Sequence, residues 1–150
     1  PNDKLCQIIF DDVDAVSRGQ ISYNHNEDSL AFATAATNWL TITSAGNIVA
    51  PQIAKGWCSF NGTGTAALRS GSFNVASLTD NGTGDYDVVW ATDFANGDYA
   101  VAVSTNEENG IPAFAMYTQN ATTDVRVLVA NHAGTFKDQT FISCIAFGAQ

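Results

Sequence analysis

Residues Lys55–Trp90 read KGWCSFNGTGTAALRSGSFNVASLTDNGTGDYDVVW, a run of short apolar segments broken by turn residues. The tetrapeptide Asn-Gly-Thr-Gly occurs twice in it, at Asn61–Gly64 and at Asn81–Gly84. Asn and Gly adopt positive φ at little steric cost, so Asn-Gly between apolar runs signals a tight turn. A phosphate-cradling loop is the chemical alternative. That loop needs a strand before it, a helix after it and a Lys-Ser/Thr pair at its end, and no such pair follows Gly64 or Gly84. The stretch therefore reads as turns in an all-β domain.

Working outward, the same period of two continues to the C-terminus. Trp57 and Ser59 alternate with Cys58 and Phe60, and Tyr86, Val88 and Trp90 with Asp87, Val89 and Ala91. Tyr99, Val101 and Val103 alternate with Ala100 and Ala102; Phe114 and Met116 with Ala113, Ala115 and Tyr117. Val125, Val127 and Val129 alternate with Arg126, Leu128 and Ala130, and Phe141, Ile145 and Phe147 lie opposite Ile142, Cys144 and Ala146. Strict alternation marks half-buried strands. The count is about seven strands, which predicts a β-sandwich or a small barrel.

The totals agree. The chain has 150 residues with 12 Gly, only 6 Lys+Arg and 45% apolar residues. Thr, Ser, Asn and Val are common while Leu, Glu and Lys are scarce, which favours strands over helices. The formal net charge of −9 opposes binding to nucleic acid and to anionic membrane surfaces. No stretch reaches the ~18 apolar residues of a membrane helix. The first residues carry no signal-peptide pattern, and the initial Pro1 suggests a chain that begins inside a longer protein. Cys6, Cys58 and Cys144 have neither disulfide-framework nor metal spacing. Each sits in an apolar run and is expected to be a buried free thiol, with a Cys58–Cys144 bridge open if their strands are neighbours.

N-terminal to that stretch the character changes. Ile8–Phe10 reads as a strand or a short helix, and Asp11, Asp12 and Asp14 as a solvated turn lacking the pattern of a calcium loop. Gln20–Tyr23, Ser29–Thr34 and Trp39–Thr43 read as short strands with polar turns at Asn24–Asp28 and Ala35–Asn38. Hairpins this short are marginal alone in water, so further copies of the chain are expected to complete them. Pro51 marks the junction. The organisation expected is residues 1–50 as an arm and 51–150 as an all-β head.

The arm sequence GQISYNHNEDSLAFATAATNWLTITSAGNI resembles a module that recurs in tail fibres and related tail proteins of tailed bacteriophages. The resemblance rests on Gly19, Ile21, Tyr23, His25, Asp28, Ser29, Leu30, Phe32, Leu40, Ile42, Ser44, Gly46, Asn47 and Ile48. Trp39 departs from the pattern, which commonly has a charged residue nearby. The head resembles a C-terminal tail-fibre domain, often of phages of marine bacteria and cyanobacteria, through Lys55, Trp57, Phe60, the two Asn-Gly-Thr-Gly turns, Phe73, Tyr86, Phe94 and Tyr99. Together the two cover about residues 19–150. The resemblance implies a homotrimer within the virion, made in the bacterial cytoplasm and joined to other tail proteins. It also implies attachment to a host surface receptor such as a glycan or lipopolysaccharide. In such a trimer Leu30, Phe32, Trp39 and Ile42 would face the axis or a neighbouring copy.

Enzymatic chemistry finds little purchase. Asp80, Asp85, Asp87, Asp93 and Asp98 sit at expected turns, where Asp serves local backbone hydrogen bonds better than paired acid–base work. His25 and His132 also lie in turns, and no Gly-x-Ser-x-Gly elbow exists. No catalytic residue, metal ligand or cofactor is assigned. The candidate receptor-binding residues are the polar and aromatic ones on loops after residue 104: Asn106, Glu107, Glu108, Asn109, Tyr117, Gln119, Asn120 and His132. Two other readings stand beside attachment. One is a structural trimerisation or decoration module; the other is the terminal cap of a depolymerase tailspike.

Overall fold

The computed structural model describes residues 4–50, 52–107 and 110–150. Among these there is no helix, all sheets are antiparallel and no barrel closes, so the small-barrel alternative falls away. The chain divides into two compact units, Pro1–Ile53 and Ala54–Gln150.

The first unit is a five-stranded meander in the order β1-β2-β3-β4-β5. Its strands are β1 (Leu5–Asp12), β2 (Ala15–Asn24), β3 (Ser29–Thr34), β4 (Thr37–Ile42) and β5 (Ile48–Val49). Ile8–Phe10 is therefore strand, and Val13–Asp14 is the tip of the first hairpin. The turn after β2 is fastened by its own side chains. The Tyr23 hydroxyl donates to Asp28 Oδ1 at 2.8 Å, Asn24 Oδ1 accepts from the Asn26 amide, and the Tyr23 and His25 rings meet edge to face. The motif Tyr-Asn-His-Asn-Glu-Asp is thus a self-stapled loop. The next turn is tighter than its composition suggests. Thr34 pairs with Thr37, leaving Ala35 and Ala36 as a two-residue loop, both at positive φ (51° and 60°).

Register sorts this unit into two faces. The rows Ile8–Ile21–Phe32–Leu40 and Cys6–Tyr23–Leu30–Ile42–Ile48 lie on one face. Phe10 and Trp39 join them around a depression of about 400 Å³. Trp39 is the extra residue of a bulge opposite Phe32–Ala33. The other face carries Gln7, Gln20, Ser22, Ala31, Ala33 and Thr41, with the exposed Leu5 and Ile9 on its edge strand. Of the described residues of this unit only Ser22, Ala31 and Ala33 are buried, all small and all on the polar face. Cys6 is exposed rather than buried, because its face has no second layer.

The second unit has two layers. One sheet has the order β10-β13-β6-β7, from β10 (Ala100–Thr105), β13 (Ile142–Phe147), β6 (Gly56–Asn61) and β7 (Ala67–Leu68). The other has the order β11-β12-β9-β8, from β11 (Ala113–Asn120), β12 (Asp124–Asn131), β9 (Asp85–Trp90) and β8 (Val75–Gly82). Between them lies one core. Cys58, Phe60, Ile142, Cys144 and Ala146 come from the first sheet; Tyr86, Val88, Trp90, Val125, Val127 and Val129 come from the second. Phe94 and Tyr99 close one end, their rings stacked at 4.0 Å, with Trp90 edge-on to both. Of the two tetrapeptides, Asn81–Gly84 forms the β8–β9 hairpin turn, while Asn61–Gly64 opens a longer loop in which Asn61 Oδ1 binds the Thr63 amide and hydroxyl.

Candidate functional site

The sequence-selected receptor residues that the structure describes do not converge on one surface. Asn106, Glu107 and His132 lie at one end of the head. There Asn106 Oδ1 accepts from the Phe141 amide at 3.1 Å, its amide nitrogen donates to the Thr140 hydroxyl at 3.2 Å, and the His132 amide donates to the Pro112 carbonyl. Asn106 thus fastens its loop to the approach of β13. Glu107 accepts from the Gly110 amide. Glu108 and Asn109 lie outside the described residues. Tyr117 is exposed on the edge strand β11, opposite Val127. Gln119 and Asn120 fall near the far end of that strand, ~20 Å from its start at ~3.3 Å per residue; their side chains lie outside what is described.

The carboxylates have local work. Asp80 caps the Gly82 amide, and Asp138 accepts from both the Gly84 amide and the Tyr86 hydroxyl at 2.7 Å. Burial first, and then this carboxylate, push the Tyr86 hydroxyl well above its ordinary range. Asp85 pairs with Arg126 across β9 and β12, and the guanidinium holds its carboxyl below the usual range. Among the described residues no group of three or more His, Cys, Asp or Glu side chains is placed to hold a metal ion.

The surface best built to receive a ligand was not selected from sequence. It is the outward face of the β10-β13-β6-β7 sheet. Because Cys58, Cys144 and Val103 turn inward, their neighbours turn out. Register then sets Trp57, Ile145 and Ala102 in one cross-strand row and Ser59, Ser143 and Ser104 in the next. Two residues along a strand separates the rows by about 7 Å. Ser70 and Gly71 complete a groove of about 430 Å³. Trp57 is 42% exposed, yet its backbone is fixed by reciprocal hydrogen bonds with Phe73 at 2.9 and 3.0 Å. Gly71, at φ 90°, passes beneath the edge of the indole ring.

Cys58 and Cys144 stand directly opposite each other behind this groove and are free thiols. Burial pushes both up to about 12, so both are neutral at ordinary pH. The residues of β6 that bond toward β7 and Phe73 are Trp57 and Ser59. Cys58 therefore bonds toward β13, which makes Cys58–Cys144 a hydrogen-bonded pair, the wider of the two antiparallel pair types.

A second exposed patch lies on the other sheet. Phe114 and Phe136 flank Ala130, with Met116 alongside, and the two rings leave Ala130 buried although it faces outward.

Comparison with protein-family models, with curated proteins and with solved structures returned no match, so a reading of function rests on the chain's own sequence and geometry.

Proposed function

We propose that the chain is the distal part of a bacteriophage tail fibre, a non-enzymatic attachment module of the virion. Its arm assembles as a homotrimer and its head binds a glycan of the host surface. The observation that carries this reading is the contrast within the arm. A single-layer sheet presents Ile8, Phe10, Ile21, Phe32, Trp39 and Leu40 on one face while, among its described residues, burying no large side chain. Each such side chain gains about 1.5–3 kcal/mol on full burial. Copies of the same chain supply that cover symmetrically, and three copies present three heads, so weak contacts add by avidity. Leu30 and Ile42 lie on the same face as Phe32 and Trp39, as an interface between copies requires.

The purely structural reading draws on the patch formed by Phe114, Met116 and Phe136, which suits contact with another tail protein. Two measurements separate these readings. Sedimentation of the chain at micromolar concentration is expected to give a trimer, and a monomer would overturn the arm argument. Labelled chain is expected to bind cells of some members of a panel of marine bacteria and cyanobacteria and to compete with phage adsorption there. A trimer that binds none of them favours the structural role. Release of oligosaccharide from the bound cells would instead reveal a depolymerase.

A further inference from the structure

The groove at Trp57 has the chemistry of a saccharide subsite, and we infer that it takes a neutral hexopyranose unit. A pyranose has an apolar face of C–H groups and a rim of hydroxyls. The groove offers the complement in two adjacent rows. The indole of Trp57, with Ile145 and Ala102, forms an apolar shelf that excludes water from one sugar face. The hydroxyls of Ser59, Ser143 and Ser104 line the other row, and among the described residues they bond to no other protein group. Each is both donor and acceptor, which is what a sugar hydroxyl needs. The row spacing of about 7 Å matches one ring with its substituents. The volume lies within the usual range for small-ligand sites, about 300–1,000 Å³.

Charge selects the class of sugar. The only ionisable side chains in the lining are the two thiols, which point into the core. The lining itself thus holds no cation for a carboxylate or phosphate; Arg69, beside it, is engaged by the Thr140 carbonyl and the Phe141 ring, and the chain's net charge of −9 repels an anion. The site is also preorganised. Trp57 and its neighbours stand on paired strands rather than on a loop, so little side-chain freedom is lost on binding.

This inference deepens the attachment reading and depends on it only for the source of the sugar. It is tested on the full 150-residue chain labelled with ¹⁵N at its 3 tryptophans. The probes are the methyl glycosides of glucose, galactose, mannose and N-acetylglucosamine at up to about 50 mM, enough to occupy a weak single-sugar site. N-acetylneuraminic acid serves as the anionic comparator. At least one neutral probe is expected to shift the Trp57 indole signal saturably while Trp39, also exposed, and buried Trp90 stay in place. Ser143→Val, which keeps a strand-forming residue but removes the hydroxyl, is expected to weaken that response at least tenfold. Three results overturn the inference: no neutral probe moves Trp57, Trp39 responds equally, or Ser143→Val binds as the parent does. Cell binding separates the two readings. If no neutral probe moves Trp57 and the parent and Trp57→Ala chains bind cells equally, the groove assignment fails and attachment stands. If the sugar shift appears but the parent binds no cells, attachment fails and the groove stands.

Discussion

The arm and the head use the same period-two alternation and reach opposite outcomes. In the head, the inward residues of two sheets meet, and Phe60, Tyr86, Val88, Val125, Val127, Val129 and Ile142 are wholly removed from solvent. In the arm, the alternation is as regular but its described residues form a single sheet, and Phe32 and Trp39 remain 38% and 51% exposed. Alternation creates an apolar face; only a second layer turns that face into a core. The head is therefore expected to hold its structure within one chain, and the arm to depend on its neighbours.

The strongest way to break this contrast is to charge the arm's apolar face. The double substitution Ile8→Asp, Phe32→Asp is expected to convert the proposed trimer to a monomer in sedimentation, with loss of arm structure and an unchanged melting transition for the head. Cys6 reports the same event, because it shares that face with Tyr23 and Leu30. Iodoacetamide at pH 8 should label it quickly in the double variant and slowly in the parent. Cys58 and Cys144, pushed up to about 12 by burial, should stay unlabelled in both until the head unfolds. Fast labelling of Cys6 in the intact parent would count against the covered face.

A converse test acts on the head alone. Phe60 is fully buried against Tyr86, their rings 5.1 Å apart. Phe60→Ala should cost about 3–5 kcal/mol of head stability by denaturant melting, with no change in the sedimentation of the folded chain. A change in oligomeric state would show that the head, too, depends on its neighbours.

Smaller effects sharpen the comparison. Ala35 and Ala36 occupy a two-residue turn that favours Asn-Gly, since both are at positive φ. Relief of the strain, less the extra flexibility of glycine, should make Ala36→Gly stabilising by about 0.5–1 kcal/mol. That gain should appear in the arm transition only. Least of all is the Asp85–Arg126 pair, whose Arg126 side chain is 42% exposed. Folding lowers the Asp85 pKa. The stability it adds is therefore present above the unfolded carboxylate value, about 3.9, and is lost as pH falls through the folded one. Arg126→Gln should lower the head's melting temperature slightly at pH 7, and the two melting curves should converge below about pH 4.

Particular residues show where sequence reading stops. The turn at Asn81–Gly84 was legible because its residues are the ones positive φ demands, whereas Ala35-Ala36 was not, because alanine gives no such signal. Alternation identified Phe141, Ile145 and Phe147 against Ile142, Cys144 and Ala146, but not which set faces inward. The smaller set does, since Trp90, Phe94 and Tyr99 already fill the space. A Cβ on Gly56 would lie 2.5 Å from the Trp90 ring, and one on Gly148 would lie 2.5 Å from Tyr99 Cβ. The Trp57 groove was hidden for a different reason. It is built from residues near 57, 70, 102 and 143, and only the pairing of strands far apart in sequence puts them side by side.

The irregular registers of the strands carry one more consequence. In the head, β8 shifts register twice and β11 once, and β7 is two residues long. In the arm, β5 is two residues long, whereas β1 pairs regularly over Leu5–Phe10 and the extra residues of its irregular end lie on β2. An incoming strand needs a straight row of free amides and carbonyls, and a bulge or an early end denies it one. The bulged or short edges of the head thereby oppose edge-to-edge growth into fibrils. Among the described edge strands of the head, β10 alone runs six residues in unbroken register. Any strand exchange between heads would start there.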